Sequence, residues 1–138
     1  MRDMGKSYLI LGQGNKPLLK SLELSRSCKG KTIIITDKPL DLEGTVEVID
    51  IFKQLDFIVS IPQHLSHGDN LIVDLYMHAS RLSAVTKYSS LKVYLKMCMR
   101  LIASAKAKCF NIYISYSGEL NSWIYEKLKV IVDEEVTC

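Results

Sequence analysis

The sequence predicts one α/β domain in which a mostly parallel central sheet carries helices on both faces. The first indication is the stretch Asn70 to Asp74, where three consecutive large apolar residues run directly into a carboxylate. A strand that is apolar on both faces belongs inside a sheet that is covered on both sides, which is typical of parallel sheets. The second indication is the alternation of strand-like and helix-like segments, which favours right-handed crossovers between parallel strands. Asp74 is therefore expected at the carboxyl end of a central strand, where such sheets place their ligand crevices.

The amino-terminal segment has the pattern of a strand, a turn and a helix. Ser7 to Leu11 is a short apolar run that predicts a buried strand, and Gly12 to Asn15 is rich in turn-forming residues. Pro17 favours a helix that begins near Lys16, because the missing N–H of a proline is harmless in the first helical turn. Gly30 is a suitable stop for this helix.

Two further strand patterns precede the central strand. Thr32 to Thr36 is rich in β-branched side chains, and Val46 to Phe52 alternates between apolar and polar residues. Apolar spacing then permits a helix from about Lys53. Pro62 cannot continue a regular helix, so we expect a short helix that is broken near Ile61.

After the central strand, the secondary-structure pattern is clear in some segments and weak in others. Leu75 to Ser90 is polar and is expected to be mostly irregular, whereas Leu91 to Ala105 keeps helical apolar spacing over four turns. Phe110 to Ser115 predicts another strand, and Trp123 to Leu128 predicts a helix. Lys129 to Val132 either continues that helix or forms a last strand, and the strand is the interpretation we favour.

Composition indicates an intracellular protein of one domain spanning residues 1–138. With 48% hydrophobic residues, the chain is long enough to bury a core without metals or disulfides. The four cysteines form no Cys-x-x-Cys pair, which argues against a zinc cage and favours reduced thiols. No apolar run approaches the length of a membrane span. We therefore expect a soluble protein, nuclear in a eukaryote and cytoplasmic in an archaeon or a bacterium, with no membrane partner.

The charge is distributed unevenly along the chain. The net charge is +3, yet all 15 acidic residues lie outside the segment from Leu75 to Gly118. That segment contains these cations: Arg81, Lys87, Lys92, Lys96, Arg100, Lys106 and Lys108. Such asymmetry is typical of a surface that binds a polyanion or an acidic partner.

The order of motifs resembles the nucleotide-binding core of the RecA superfamily, which includes RecA, recombinases such as RadA, and KaiC. The resemblance rests on a strand and glycine turn with Gly12 and Gly14, on Lys16 before a helix, and on Asp74 after a hydrophobic strand. It is clearest from Asn70 to Glu119, which is similar to the recombinase stretch from the magnesium-holding Asp to the sensor strand. The resemblance implies a truncated RecA-like P-loop fold in which Gly12, Gly14, Lys16 and Asp74 form a degenerate nucleotide site.

The phosphate loop departs from the family pattern. A working loop has the form Gly-x-x-x-x-Gly-Lys-Ser/Thr, because successive backbone N–H groups cradle the phosphates while the hydroxyl holds the metal. Here Gly12 to Lys16 spans four steps instead of six, Asn15 stands where a glycine is needed, and Pro17 replaces the hydroxyl residue. We therefore expect that the loop does not bind ATP or magnesium.

The other hydrolytic positions of the family are altered as well. Where the resemblance implies an acid that polarises water, the sequence has Asp37 followed by Lys38 and Pro39. Where it implies a polar pair after the sensor strand, the sequence has Tyr116 and Ser117. Phosphoryl transfer needs several groups positioned together, and only the carboxylate of the central strand remains. We expect no catalytic residue, no enzymatic activity and no required cofactor.

The resemblance also implies contact with nucleic acid. In this family the loops after the central and sensor strands face DNA, which brings that role to Arg81, Lys87 and Lys92. Lys96 and Arg100 continue the cationic stripe of the same helix, and cations that neutralise phosphates release counterions. The alternative is that these residues only form the solvated face of an amphipathic helix.

The sequence therefore predicts a non-catalytic recombinase paralogue that acts as a partner subunit in homologous recombination and DNA repair and contacts DNA. Two alternatives remain: an ATP-handling RecA-type subunit completed by a partner, and a structural scaffold of the Elongator or KaiC kind. His64 and His67 lie near Asp69, but no helix is expected to hold them together, so no metal site is predicted.

Overall fold

The computed structural model describes residues 5–86 and 89–138. In this part of the chain six parallel strands form one sheet, in the order β3-β2-β4-β5-β1-β6. The strands are β1 (Ser7–Leu11), β2 (Thr32–Thr36), β3 (Thr45–Glu47), β4 (Asn70–Asp74), β5 (Asn111–Tyr116) and β6 (Glu134–Thr137). The predicted parallel α/β fold is confirmed, and β4 lies in the interior of the sheet with Asp74 at its carboxyl end.

The described helices are distributed unequally between the two faces of the sheet. They are α1 (Lys16–Arg26), α2 (Leu55–Ser60), α3 (Tyr76–Thr86), α4 (Ser89–Lys108) and α5 (Trp123–Ile131), and a 3-10 turn (Ile61–His64) follows α2. The smaller core lies under α1, where Leu18 packs with Ile10, Ile34 and Ile72. The larger core lies on the opposite face and combines buried side chains of the other four described helices with the remaining strand residues.

The prediction that Leu75 to Ser90 is mostly irregular is wrong, because α3 occupies most of this segment. Leu75 and Ala79 are fully buried, and the Ser90 hydroxyl donates to the Ala79 carbonyl at 2.9 Å. Among residues 76–82, Tyr76, Ala79 and Leu82 pack in or against the larger core, and polar residues such as His78 and Arg81 lie between them, which obscures the apolar periodicity.

The prediction of a last strand at Lys129 to Val132 is also wrong. α5 continues to Ile131, and the last strand is β6, which pairs in parallel with β1. β6 reads Glu-Glu-Val-Thr and is largely exposed at the edge of the sheet, where charged side chains are tolerated.

The third strand is shorter than the predicted Val46 to Phe52. Only Thr45–Glu47 is strand, and a turn follows in which the Gln54 side-chain oxygen accepts the N–H groups of Ile49 and Asp50 at 2.7 and 2.9 Å. The predicted interruption of a helix near Ile61 is confirmed by the boundary between α2 and the 3-10 turn. None of the helices in the described residues has the length and apolar character needed to cross a membrane.

Candidate functional site at the carboxyl edge of the sheet

Asp74 is the centre of a compact polar cluster at the carboxyl ends of β2 and β4. Lys38 Nζ lies 2.8 Å from Asp74 Oδ2, and the Thr36 hydroxyl donates to the same oxygen at 2.7 Å. The Asp74 side chain is 11% exposed and that of Lys38 is 31% exposed. The carboxylate is therefore nearly buried and is neutralised by a cation of its own chain.

The strand register explains why these residues meet. Thr36 and Asp74 are the last residues of their strands and are direct partners across the β2–β4 pair. Side chains of directly opposed residues on neighbouring strands project on the same face, so the hydroxyl lies beside the carboxylate. The Lys38 backbone N–H donates to the Thr36 hydroxyl oxygen at 3.2 Å, and this turns the lysine back over the strand ends.

This cluster does not fit a magnesium site. Magnesium requires near-octahedral oxygen ligands and is usually held by carboxylates together with substrate phosphates. In the cluster, the Lys38 ammonium and the Thr36 hydroxyl are both directed at Asp74 Oδ2. A metal ion would have to displace the ammonium, so the expected loss of magnesium binding has a physical cause here.

Hydrogen bonds within the chain engage both ends of the loop between β1 and α1. The Gly12 N–H donates to the Tyr116 carbonyl at 3.2 Å, and the Lys16 N–H donates to the Gln13 carbonyl at 3.1 Å. Pro17 has no N–H and is buried at the start of α1. Gly14 has a φ of +59°, which closes the turn in the left-handed region that glycine adopts readily. Two of the five N–H groups from Gly12 to Lys16 are therefore engaged within the chain, and Pro17 supplies none.

Cys138 covers the same loop from the end of β6. Its N–H donates to the Leu11 carbonyl at 2.8 Å, and its Sγ lies 3.6 Å from the Lys16 carbonyl oxygen. A Cβ atom placed on Gly12 would lie 3.2 Å from Cys138 Cβ and 3.3 Å from Pro17 Cδ. The space directly over Gly12 is thus filled by protein.

The predicted nucleotide-site residues lie at one edge of the sheet, at the ends of two strands that are not neighbours. Gly12, Gly14 and Lys16 follow β1, whereas Asp74 follows β4, and β5 lies between these two strands. Two strand spacings correspond to about 10 Å.

The residue at the end of β5 has a structural role. Tyr116 is buried, and its hydroxyl lies 2.6 Å from the Glu119 carbonyl oxygen and 2.7 Å from the Ser122 hydroxyl. Burial raises the pKa of Tyr116 to about 12. The preceding Ser115 is buried too, and its hydroxyl has no hydrogen-bond partner among the described residues.

Arg81 is held in an ion pair that the sequence did not indicate. It lies on α3, and its Nη2 is 2.7 Å from Asp37 Oδ2. The Asp37 side chain is 12% exposed, whereas that of Arg81 is 66% exposed. The nearly buried carboxylate of Asp37, which follows β2, is thus engaged by a cation.

The remaining cations predicted to contact nucleic acid are on α4, apart from Lys87, which lies outside the described residues. Lys92, Lys96 and Arg100 are exposed on this helix, and the opposite side of α4 is buried in the larger core. Their spacing of four residues places them along one stripe. Lys92, Lys96 and Arg100, which are three of the five predicted contact residues, thus lie on one surface.

The histidines form no metal centre. Asp69 accepts the backbone N–H groups of Lys31 and Ser66 at 3.1 and 2.8 Å, so its carboxylate stabilises a turn. His78 Nε2 accepts the Ile51 N–H at 3.2 Å. No three potential metal-ligating side chains cluster in the part of the chain that the structure describes.

Sequence reasoning identified Asp74 but missed its two partners. A usable signal was present, because Thr36 ends the predicted strand next to the central one and Lys38 follows it by two residues. The pairing itself depends on β2 being the neighbour of β4. No protein-family model matches the chain, and no curated protein matches it.

Proposed function

We propose that this protein is a non-hydrolysing RecA-type subunit that acts as the partner of another RecA-type subunit in homologous recombination and DNA repair. The observation that carries the proposal is the Lys38 ammonium 2.8 Å from Asp74 Oδ2. An internal cation at this place substitutes for the charge of a metal and keeps a nearly buried carboxylate stable without ATP.

The order of the strands supports the RecA-type part of the proposal. β5 follows β4 in the chain but lies between β4 and β1 in the sheet. A strand in the sensor position thus separates the strand of the glycine turn from the strand that carries Asp74. The carboxyl ends of β1, β2, β4 and β5, which carry the altered positions, thus share one edge of the sheet.

The altered positions support a role without hydrolysis. Phosphoryl transfer depends on simultaneous positioning of the phosphates, the metal and the nucleophile. Pro17 stands where a phosphate loop has its hydroxyl residue, Asp74 is paired with Lys38, and Asp37 is paired with Arg81. A subunit with these features contributes surfaces to an assembly, and its chemistry comes from the partner.

The exposed side of α4 supports contact with DNA. Lys92, Lys96 and Arg100 are exposed, and the sequence of α4 contains no acidic residue. Cations on one stripe can neutralise several phosphates without reading the bases. The expected binding is therefore independent of sequence and sensitive to salt. An intracellular location, nuclear in a eukaryote, belongs to the same proposal.

The test is charge reversal on α4 with a matched control. Lys92→Glu, Lys96→Glu and Arg100→Glu are combined in one variant. The control combines Lys31→Glu, Lys53→Glu and Lys127→Glu, which are exposed residues outside α4 and change the net charge equally. Affinity for a single-stranded and a double-stranded oligonucleotide is measured over a range of salt concentrations.

The α4 variant is expected to bind weakly, and the slope of log K against log salt should decrease by about two to three, as expected for three lost phosphate contacts. The control variant should retain most of the affinity and most of the slope. Equal losses in both variants would show that only net charge matters, and unchanged binding of the α4 variant would remove DNA contact from the proposal.

A second candidate is an ATP-binding subunit completed across an interface, and the retained carboxylate at the end of the central strand favours it. Calorimetric titration of magnesium-ATP into the wild type and into Asp74→Asn distinguishes the two. The proposal expects no magnesium-dependent heat from either protein. Tight binding by the wild type that Asp74→Asn abolishes would establish the second candidate instead.

A further inference from the structure

An apolar groove of about 390 Å³ lies between α4 and α5, on the face of the sheet that carries the larger core. It shares no residue with the candidate site at Asp74. Its apolar lining consists of Leu95 and Met99 on α4 and of Val130 and Ile131 on α5. The volume lies within the range of about 300 to 1,000 Å³ that is common for binding pockets.

The groove has a partly buried floor and exposed apolar walls. Leu95 and Ile131 are half-buried and pack against the larger core. Met99 and Val130, which line the same groove, are 48% and 77% exposed. Single exposed apolar side chains are common on protein surfaces, but apolar side chains gathered around one recess are typical of an interaction site. These four side chains therefore indicate a docking surface.

Apolar exposure extends along α5 for about two turns. Trp123 is exposed and precedes Val130 by seven residues, so both lie on the same side of this helix. Seven residues correspond to about 10 Å of helix. An amphipathic helix with apolar residues at positions i, i+4 and i+7 has its anchors over the same length. A strand could not be added here, because both walls of the groove are helices.

The charges beside the groove are predominantly positive. Lys127 lines it on α5, and Lys92 and Lys96 are exposed on α4 within one turn of the apolar lining. Glu126, the acidic residue of the lining, forms an ion pair of 3.5 Å with Lys129. The sequence of α4 contains no acidic residue. A complementary partner therefore carries acidic side chains beside its apolar anchors.

We propose that this groove binds an acidic amphipathic helix of a partner protein. The apolar residues of that helix pack between Met99 and Val130, and its carboxylates lie beside Lys92 and Lys127. Met99 suits this role because a flexible thioether side chain adapts to apolar groups of different shapes. Phosphate contacts need no apolar recess, so the groove has a role that goes beyond DNA contact and does not depend on it.

Methyl NMR of the methionines tests the proposal on the whole protein. Met99 lies in the groove, whereas Met77 is exposed on α3 outside the lining and Met97 is buried in α4. The protein is isotope-labelled at the methionine methyl groups and titrated with three synthetic peptides. Each peptide surrounds two leucines with glutamates, and the leucines are spaced i and i+3, i and i+4, or i and i+7. One control peptide distributes the leucines all round the helix, and another replaces the glutamates by lysines.

At least one acidic peptide should shift the Met99 methyl signal saturably, with a Kd below about 1 mM, while the signals of Met77 and Met97 change little. Both control peptides should bind about fivefold more weakly or less, and the affinity of the acidic peptide should fall as the salt concentration rises. No Met99 shift with any acidic peptide, or equal binding of the control peptides, would overturn the proposal.

Variants locate the binding in the groove. Val130→Asn removes an exposed apolar side chain and should weaken the acidic peptide about tenfold, whereas Ile49→Asn, at an exposed position outside the groove, is the matched control and should not. Lys127→Gln should weaken the peptide about threefold, and Lys53→Gln is its control. The methyl signal of the buried Met97 reports whether each variant is folded. Equal effects of a variant and its control would contradict the groove.

Other occupants of the groove are distinguished by three further measurements. A Met99 shift on concentrating the protein alone would identify a second copy of the chain, and tighter binding to anionic phospholipid vesicles than to any acidic peptide would identify a membrane. Either result would overturn the proposal. Val130→Asn should bind a short oligodeoxythymidylate as the wild type does. An equal loss of oligonucleotide and peptide binding in this variant would assign the groove to DNA instead.

Discussion

Lys38 Nζ lies 2.8 Å from Asp74 Oδ2 and forms an ion pair between the turn after β2 and the end of β4. The pair is partly accessible to solvent, since the Lys38 side chain is 31% exposed and the Asp74 side chain is 11% exposed. An ion pair in this position compensates the cost of holding a carboxylate in a nearly dry crevice. The same contact explains how a carboxylate is accommodated at the nearly buried end of β4.

A double-mutant cycle on Lys38 and Asp74 measures this coupling. Lys38→Met and Asp74→Asn, alone and together, are compared by urea unfolding. We expect a coupling energy of about 1 to 2 kcal/mol, with Lys38→Met as the more harmful single change because it leaves a nearly buried charge uncompensated. Additive effects of the two substitutions would show that the pair contributes no stability.

Thr36→Val tests the second partner of Asp74. The substitution keeps the β-branched shape but removes a fully buried hydroxyl that donates at 2.7 Å to the carboxylate. A hydrogen bond to a charged group contributes about 1.5 to 3 kcal/mol, so the free energy of unfolding should fall by that amount. Thr32→Val, at the half-buried beginning of the same strand, is the matched control and should cost less than Thr36→Val. Equal effects at both ends of β2 would contradict the proposed role of the Thr36 hydroxyl.

Cys98 should be chemically inert in the folded protein. It is fully buried in α4, and burial raises its pKa to about 12. The thiolate is the reactive form, so almost none of it exists at pH 7 or 8. Iodoacetamide should modify the exposed Cys138 in the native state, and Cys98 only at the rate of unfolding. Similar rates at these two residues in the native state would show that the α4 core opens readily.

Tyr116 should make the protein sensitive to alkali. Its pKa is raised to about 12 by burial, whereas a tyrosine in the unfolded chain ionises near pH 10. A raised folded-state pKa means that the stabilisation is complete below pH 10 and is lost as the pH rises towards 12.

The free energy of unfolding should therefore fall across this window, and Tyr116→Phe should reduce the slope by about 1.4 kcal/mol per pH unit. Below pH 10 the same variant should cost about 1 kcal/mol, because the hydrogen bonds to Glu119 and Ser122 are lost. Denaturant unfolding at a series of pH values provides both numbers. Identical pH slopes for the wild type and Tyr116→Phe would contradict this assignment.

Elements that bury a continuous apolar stripe were predictable, and elements at the margins were not. β4 and α4 follow from local runs and local spacing. α3 was missed because polar residues such as His78 and Arg81 lie between its described core contacts, and β6 was missed because an edge strand with two glutamates lacks the apolar alternation of an interior strand. In both elements, packing against neighbours outweighs the local pattern.

Some features of the candidate site could likewise be predicted from the sequence, and others could not. The short loop from Gly12 to Lys16 and the replacement of a hydroxyl by Pro17 were visible in the residues themselves. The coverage of that loop by Cys138 was not, because it joins two ends of the chain through the β1–β6 pair.

The sequence alone determined the parallel α/β class, the interior strand that ends at Asp74 and the short glycine turn before Pro17, because each depends on residues that are neighbours in the chain. Only the tertiary structure decided that Lys38 and Thr36 meet Asp74 and that Arg81 is held by Asp37. These contacts depend on the order and register of strands that are far apart in sequence, and that order is set by how the whole sheet buries its two faces.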